Sequence, residues 1–264
     1  ANLLARVDGD QLSLTGTDLE VEMVSRTRVE DAQAGEVTIP ARKLFEIVRA
    51  LPDGSKVTVS QTGDKVTVSA GRSRFTLASL PANDFPSLDE VDATERVKVG
   101  EASLKELIER TAFAMAQQDV RYYLNGMLFE VTAGRLRTVA TDGHRLAMCD
   151  ADAQTDAVER MQVIVPRKGV QELARLLNDD DGIVTITLGS NHIRATVGNV
   201  TFTSKLIDGK FPDYERVLPK GGDKTVLANR EELRHSLTRA AILSNEKFRG
   251  IRLQLTPDML RIQA

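Results

Sequence analysis

The chain has 264 residues, of which 41% are hydrophobic and 28% are charged, and its formal net charge is −3. This composition is typical of a globular protein, and the length favours about two domains over one small domain. No apolar run approaches the ~20 residues that span a bilayer, and the first residues lack a signal-peptide pattern. A single cysteine, Cys149, excludes an internal disulfide and fits a cytoplasmic location. The mild acidity confines any contact with nucleic acid to one local basic face.

The first predicted elements form a hairpin near the start of the chain. Leu3 lies in its first strand, and Leu12 closes the hairpin. A later segment, 39–51, aligns with segment 165–177, in which a proline precedes an apolar stripe of helical spacing. We therefore expect a strand pair followed by a helix in this first part of the chain.

A complete set of elements is predicted in the middle of the chain. Ser103 and Glu106 have the spacing of a capping box, which predicts that a helix begins at Ser103. Alternating apolar residues then predict antiparallel strands. The elements after this helix are strands at Met127 to Val131 and Leu136 to Ala140, a helix that starts near Pro166, and strands at Val184 to Leu188 and His192 to Val197. Near the end, the spacing of Asn229 and Glu232 predicts another helix start.

These landmarks recur at one long spacing. Phe85 and Phe211 are 126 positions apart, and Leu12, Leu136 and Leu260 follow one another at intervals of 124. A period this long indicates a duplicated domain, because solenoid units repeat every ~20–50 residues. The alternative is that unrelated helix–strand units resemble one another by chance.

Each repeat combines two helices with antiparallel strands, which predicts an α+β fold whose helices cover one face of a sheet. We predict three tandem copies of this duplicated domain, at 1–95, 96–222 and 223–264. The first copy has no opening helix, and the third stops within its second strand. We therefore expect a natural protein that is longer at both ends.

Four stretches of the sequence carry a resemblance to a known family. They are Gln118–Phe129, Val139–Ala147, Phe211–Tyr214 and Ala240–Gly250. They resemble the beta subunits of bacterial DNA polymerase III, the sliding clamps. The resemblance implies a DNA clamp fold and a head-to-tail homodimer that closes a ring on duplex DNA without sequence specificity. It also implies that the ring tethers DNA polymerase III and other polymerases, and that a clamp loader places it on DNA.

The resemblance further implies three groups of site residues. The partner-peptide pocket comprises Leu124, Thr141, Gly143, His144, Arg145, Leu146, Pro212, Arg216 and Val217. The DNA contacts are Gln118, Tyr122 and Tyr123, to which we add Arg121 because arginine neutralises phosphates. The dimer interface comprises Lys43, Arg72, Arg74, Phe75, Ile242 and Leu243, whose acidic partners are expected beyond Ala264.

Each of these interpretations has an alternative. Leu124 and Leu146 could be ordinary core residues, and either tyrosine could be buried in a turn. Asp142 and His144 could suggest a catalytic pair, but the sequence has no nucleophile motif, no histidine cluster of metal-ligand spacing and no glycine-rich phosphate loop. We therefore expect neither an enzyme nor a cofactor. A second alternative is a binding scaffold that never closes a ring.

Overall fold

The computed structural model describes residues 2–88, 92–244 and 250–264. Residues 245–249, which belong to one of the four stretches that carry the resemblance, lie outside the described residues. The chain divides into two compact units, Ala1–Phe211 and Pro212–Ala264. In the described ranges, no helix has the length and apolar character needed to cross a membrane.

The first repeat is a hairpin extended by two further strands, a helix and a small separate sheet. Its core is formed by aliphatic side chains from strands and helix alike, with Ile39, Ile47 and Val66 buried. Its elements are β1 (Asn2–Asp8), β2 (Gln11–Thr17), β3 (Val21–Arg28), β4 (Gly35–Pro40), α1 (Ala41–Ala50), β5 (Thr58–Thr62), β6 (Lys65–Ala70) and β7 (Ser73–Ala78).

The second repeat holds the larger core. Leu104 and Leu107 of its first helix, Leu173 of its second and Phe129 of a central strand are all buried together. Each such side chain contributes about 1.5–3 kcal/mol when it is removed from water. The elements are β8 (Ala93–Gly100), α2 (Glu101–Thr111), β9 (Gly126–Thr132), β10 (Arg135–Thr141), β11 (Leu146–Asp152), β12 (Gln154–Thr155), β13 (Met161–Pro166), α3 (Arg167–Leu176), β14 (Ile183–Gly189), β15 (His192–Val197) and β16 (Val200–Lys205).

The second compact unit begins with one turn of 3₁₀-helix and continues as a helix and a hairpin. Its regular elements are α4 (Arg230–Ala241), β17 (Arg252–Thr256) and β18 (Met259–Gln263). Asn229 caps α4, because its side chain accepts hydrogen bonds from the amides of Glu231 and Glu232 at 3.0 and 3.1 Å. The helix start predicted at this position is therefore confirmed.

The three hairpins predicted from the leucine spacing share one register. Val7 pairs with Leu12, Val131 with Leu136 and Leu255 with Leu260. In each hairpin the leucine is the second residue of its second strand. The sequence repeat is thus a structural repeat, and the predicted α+β class with antiparallel sheets is confirmed.

The helix start predicted at Ser103 is wrong. Helix α2 begins at Glu101, with Gly100 in the N-cap position and no side-chain cap. A tertiary contact takes the place of a side-chain cap, because the amide of Glu101, in the first turn of the helix, donates to the carbonyl of Gly182 at 2.7 Å. The buried Glu101 carboxylate also accepts from the amide of Asn178 at 2.7 Å. These partners lie far away in the sequence, so the local capping signal did not decide where the helix begins.

One sheet runs through both repeats. Its nine strands follow the order β12-β8-β14-β15-β16-β3-β2-β1-β4, and β16 joins β3 through pairs from Val200↔Ser25 to Ser204↔Val21. The remaining strands of the first compact unit form a sheet of order β11-β10-β9-β13 and another of order β5-β6-β7. The boundary predicted after residue 95 falls inside β8. The three domain limits stay a prediction.

Candidate functional site

The turn between β10 and β11, from Thr141 to Leu146, carries five of the predicted pocket residues, together with Asp142. The Thr141 hydroxyl accepts from the Gly143 amide at 3.1 Å and donates to the Arg145 carbonyl at 2.7 Å. Gly143 has φ +86°, a left-handed conformation that glycine adopts without strain. The turn is therefore fixed by its own backbone and side chains, and it presents His144 and Arg145 to solvent.

Asp142 holds the far side of this turn. One of its carboxylate oxygens accepts from the amides of His144 and Arg145 at 2.9 and 3.0 Å, and the other lies 3.1 Å from the Arg145 Nε. Burial works to raise the pKa of Asp142, but these donors outweigh it and lower the pKa below its ordinary value. The Asp142 carboxylate therefore stabilises the conformation of this turn.

Arg145 extends from the turn across an exposed aromatic ring. Its guanidinium carbon lies 5.4 Å from the centroid of the Phe113 ring, and its Nη2 donates to the Phe113 carbonyl at 2.8 Å. A guanidinium over a ring face at this separation is a cation–π contact. Phe113 therefore fixes the direction in which Arg145 leaves the turn.

The loop that precedes β9 contains the predicted DNA contacts. Gln118 has φ +55°, an uncommon conformation for a residue other than glycine, asparagine or aspartate. Asn125 braces the loop, because its side chain accepts from the Asp119 amide and donates to the Asp119 carbonyl, both at 2.9 Å. Leu124, next to Asn125, is only 2% exposed. The loop therefore rests on a buried leucine rather than extending freely into solvent.

Arg121 joins this loop to the turn. Its Nε and Nη2 contact the two carboxylate oxygens of Asp119 at 3.0 and 2.8 Å, and Nη2 also donates to the carbonyl of Asp142 at 3.3 Å. The hydrogen bonds from Arg121 lower the pKa of Asp119 to about 2. The same side-chain hydrogen bond raises the pKa of Arg121. The ion pair is thus present over the whole physiological pH range.

The two adjacent tyrosines lie beside this ion pair. Their rings are 5.8 Å apart in an edge-to-face arrangement, with Tyr122 56% exposed and Tyr123 half-buried. Gly209 lies beside them, since a Cβ on that residue would be in van der Waals contact with the Tyr122 ring, at 3.4 Å. At 56% exposure, Tyr122 is not buried in a turn.

The other pocket residues lie in the second compact unit. Pro212, Arg216 and Val217 are exposed there, and the Arg216 Nε lies 2.8 Å from a carboxylate oxygen of Asp213. Leu146 at the start of β11 is half-buried. Arg121 connects Leu124 with the 141–146 turn, because its carbonyl accepts from the Leu124 amide and its guanidinium group donates to the Asp142 carbonyl. Pro212, Arg216 and Val217 are assigned to the pocket by resemblance alone.

The predicted interface residues occupy three exposed places. Arg74 and Phe75 lie on β7, an edge strand of the three-stranded sheet, and Arg72 lies in the turn before it. The ammonium group of Lys43 on α1 lies 3.0 Å from Glu46. Ile242 and Leu243, just after the end of α4, are 77% and 86% exposed. An unpaired edge strand and two exposed aliphatic side chains are features that a protein interface would cover.

Phe113, Asp119 and Asn125 were not among the residues predicted from sequence. Asp119 stands two positions before Arg121, and an acidic residue at that spacing is a signal that could have suggested the ion pair. Phe113 carries no such signal, because it lies 32 positions from Arg145. In the described parts of the chain, no group of three or more metal-ligand side chains comes together.

Comparison with known proteins gives matches along the whole chain. Residues 1–89, 98–213 and 215–264 match the N-terminal, central and C-terminal domain models of the DNA polymerase III beta subunit. The beta sliding clamp of Pseudomonas aeruginosa is 61% identical over all of this chain, which spans 72% of that protein's length. The beta sliding clamp of Vibrio cholerae is 52% identical, with the same coverage.

Solved structures give the same result. The crystal structure of the DNA polymerase III subunit beta from Pseudomonas aeruginosa has a TM-score of 0.97, at 61% identity, over 100% of this chain and 72% of that one. A crystal structure of the sliding clamp from the same organism bound to griselimycin has a TM-score of 0.95, covering 99% of this chain and 71% of that one, also at 61% identity. The fold described above is therefore the fold of these proteins.

Proposed function

Since the chain belongs to the beta subunit family of bacterial DNA polymerase III, the sliding clamps, we propose that the loop at 118–123 and the turn at 141–146 are its contacts with DNA and with partner proteins. The protein is a processivity factor and not an enzyme. It encircles duplex DNA as a dimer and keeps the replicative polymerase on its template. The observation that carries this function is the 61% identity to a beta sliding clamp over the whole of this chain.

We propose that Gln118, Tyr122 and Tyr123 touch DNA, with Arg121 in the same loop. The exposure of Tyr122 supports this, because tyrosine binds phosphate through its hydroxyl and stacks on bases through its ring. The chain as a whole is mildly acidic, with a formal net charge of −3. Direct affinity for DNA is therefore weak and independent of sequence, and the closed ring provides the retention.

We propose that Leu124, Thr141, Gly143, His144, Arg145 and Leu146, with Pro212, Arg216 and Val217, bind short peptide segments of partner proteins. The half-buried Leu146 provides an aliphatic wall, and the exposed Arg145 lies at its rim, with its guanidinium group over the Phe113 ring. A bound segment therefore carries large apolar side chains. The partners of this site are DNA polymerase III, other polymerases and the clamp loader, and the protein acts in the cytoplasm.

We propose that Lys43, Arg72, Arg74, Phe75, Ile242 and Leu243 form the interface between two copies arranged head to tail. The exposure of Phe75 on an edge strand supports the assignment, because a second chain could continue that sheet. The exposed Ile242 and Leu243 would provide an apolar centre on the other surface.

Retention on DNA of different topology tests the function. A full-length clamp that contains this sequence is loaded on nicked circular DNA, which is then cut once by a restriction enzyme. We expect retention on the circle, loss after the cut, and retention again when both new ends carry bulky blocks. A scaffold that binds DNA without closing a ring would stay equally well on all three substrates, and that outcome would refute the assignment.

A further inference from the structure

We propose that the seam between the first and second repeats, where β16 pairs with β3, carries a binding site for an anion with two linked phosphate groups. The site is a surface cavity of about 470 Å³ at the end of β3 and the start of β16. Its lining combines residues of β2 and β3 with residues of the hairpin formed by β15 and β16. None of these residues belongs to the DNA, peptide or interface groups proposed above. The site forms only when the two repeats are joined.

The first step is the charge of the lining. Arg26 and Arg28 both line the cavity, together with the polar side chains of Gln11, Thr196 and Thr201. All the lining residues lie in the described ranges, and none of them is acidic. A guanidinium group binds phosphate well, because its parallel N–H groups match two phosphate oxygens. The lining therefore favours an anionic ligand, and phosphate in particular.

The second step is the spacing of the two arginines. Arg26 and Arg28 are two positions apart on β3, which ends at Arg28. Side chains at this spacing point to the same face of a strand, and their Cα atoms are roughly 7 Å apart. One phosphate group would occupy one guanidinium group, whereas two linked phosphate groups reach both. No aromatic side chain lines the cavity, so a nucleotide base would find no ring to stack on. The ligand is therefore recognised by its phosphate groups.

The third step is that Arg26 is held in place without being neutralised. Its Nη1 donates to the Thr201 hydroxyl at 2.8 Å. Its amide donates to the Asn199 carbonyl at 3.0 Å, and its carbonyl accepts from the Asn199 side chain at 2.8 Å. Among the described residues, no carboxylate lies within ion-pair distance of this half-buried arginine. A partly desolvated charge without a partner is unfavourable, and a bound phosphate group would remove that cost. Arg26 is thus pre-organised for an anion.

The fourth step is that Arg28 can bind a ligand at little cost. Its Nε lies 3.8 Å from the Asp10 carboxylate, and the two side chains are 88% and 70% exposed. A contact this long between exposed groups contributes little stability. A ligand with at least two negative charges therefore competes well with Asp10 for Arg28. Since Asp10 opposes binding in this way, its removal should strengthen the affinity for the ligand.

Four variants separate a site from general charge attraction. Arg26→Gln removes the fixed guanidinium group, Arg28→Gln removes the exposed one, and Asp10→Asn removes the competing carboxylate. Arg6→Gln is the matched control. Arg6 lies on the same face of the sheet, two strands away from Arg26, but it is already paired with Glu36 at 2.9 Å. Because Arg28 is 88% exposed, its variant keeps the test valid even if Arg26→Gln loosens the seam.

The measurement is a ³¹P NMR titration of pyrophosphate with a full-length clamp that contains this sequence, at constant ionic strength. We expect saturable binding with one site per chain. Arg26→Gln and Arg28→Gln should each weaken binding about tenfold, as expected for the loss of a hydrogen bond between charged groups. Asp10→Asn should strengthen binding about threefold, and Arg6→Gln should leave it unchanged. Orthophosphate should bind more weakly than pyrophosphate, because it reaches only one arginine.

Three results would overturn the inference. In the first, the unaltered protein shows no saturable binding of pyrophosphate. In the second, Arg6→Gln weakens binding as much as Arg26→Gln and Arg28→Gln do, which would mean that only the overall charge matters. In the third, a single-stranded oligonucleotide displaces pyrophosphate at a lower concentration of phosphate groups than pyrophosphate itself requires. That result would make the cavity a contact for nucleic acid rather than a site for a small phosphate ligand.

Discussion

The ammonium group of Lys168 lies 3.2 Å from a carboxylate oxygen of Glu20 and also contacts Asp18, 150 positions earlier in the chain. Lys168 is in the first turn of α3, and the two acidic residues lie in the turn between β2 and β3. Beside them, the amide of Lys205 donates to the Glu20 carbonyl at 2.9 Å, next to the pairing of β16 with β3. The junction between the first and second repeats is therefore bonded by both main chain and side chains.

We expect Lys168→Ala to lower the free energy of unfolding only slightly. The side chains of Lys168 and Asp18 are each 47% exposed, and exposed ion pairs contribute about 0.2–1 kcal/mol. Urea denaturation measures the difference. A loss above about 2 kcal/mol would mean that this contact, rather than the shared sheet, holds the two repeats together.

The same variant should show a defined pH dependence. Burial works to raise the pKa of Asp18, but hydrogen bonds from Lys168 and nearby amides outweigh it, so its pKa lies below 3.8. The stabilisation that Asp18 provides is fully present above pH 3.8, and it is lost as the pH falls through the lowered pKa of the folded protein. Hydrogen bonds to Asp18 and Glu20 raise the pKa of Lys168 above 10.5. The stabilisation that Lys168 provides is therefore lost only as the pH rises through this raised pKa. The difference between variant and parent should therefore shrink below pH 3.8 and stay constant near neutrality.

The carboxyl group of Asp119 provides a spectroscopic check on Arg121. The hydrogen bonds from Arg121 lower its pKa from 3.8 to about 2, so the stabilisation is present above 3.8 and is lost as the pH falls towards 2. In Arg121→Gln we expect the titration midpoint to rise towards 3.8. A carboxyl ¹³C NMR titration measures it, with Arg6→Gln as the control. An unchanged midpoint would show that the ion pair does not persist in solution.

We expect Leu146→Asp to abolish binding of a polymerase-derived peptide while the ring stays intact. Leu146 is half-buried at the start of β11, and a carboxylate there would be desolvated by an apolar ligand without a partner. Val158→Asp, at a position that is 96% exposed, is the control for added charge. Anisotropy measures the peptide, and sedimentation measures the ring. Unchanged peptide binding would mean that the pocket lies elsewhere.

We expect Ile242→Ala combined with Leu243→Ala to make a full-length clamp monomeric. Both side chains are exposed in this chain, so their truncation should leave its melting temperature nearly unchanged. In an interface core, by contrast, truncating a buried leucine or isoleucine costs ~2–5 kcal/mol. Sedimentation velocity should show a monomer for this variant and a dimer for Val158→Ala. A dimer in both would place the interface elsewhere.

We expect Gly126→Ala to destabilise the second repeat strongly. Gly126 opens β9, and a Cβ there would lie 2.5 Å from the backbone carbonyl oxygen of Val165 on β13. Because a paired strand cannot retreat without losing its hydrogen bonds, the cost should be about 1–3 kcal/mol, as for other overpacked sites. Gly16→Ala in β2 is the control, since no atom lies within 4 Å of the added carbon. Equal melting temperatures for the two variants would contradict this prediction.

Some features of the fold were determined by the sequence alone. The leucines at intervals of 124 predicted three hairpins, and the structure gives all three the same register, with Val7 opposite Leu12 and Val131 opposite Leu136. Asn229 predicted the start of α4, and its side chain does cap that helix. These signals succeed because a two-residue turn and a helix cap depend on residues only three to five positions apart.

The site residues were predicted in a different way. Leu124, His144 and Arg145 were assigned by resemblance to the clamp family, since nothing in their chemistry or spacing distinguishes a pocket wall from core. The sequence did not predict that Arg121 would connect them, because its partner at Asp142 lies 21 positions away across two strands. Its charge suggested phosphate binding, which is the usual task of an arginine near tyrosines in a DNA-binding protein.

The remaining features were decided by contacts between distant residues. Helix α2 begins at Glu101 rather than Ser103 because the Glu101 carboxylate bonds Asn178, 77 positions away. The sheet passes from one repeat into the next because β16 pairs with β3, about 180 positions away in the chain. The sequence pattern of a strand does not indicate which distant strand it will pair with. The local periodicity of a strand determines which of its faces is apolar, but only tertiary packing determines which element covers that face. Tertiary packing also brings Arg121 into contact with Gly143, while Asp119 pairs with the Arg121 guanidinium group.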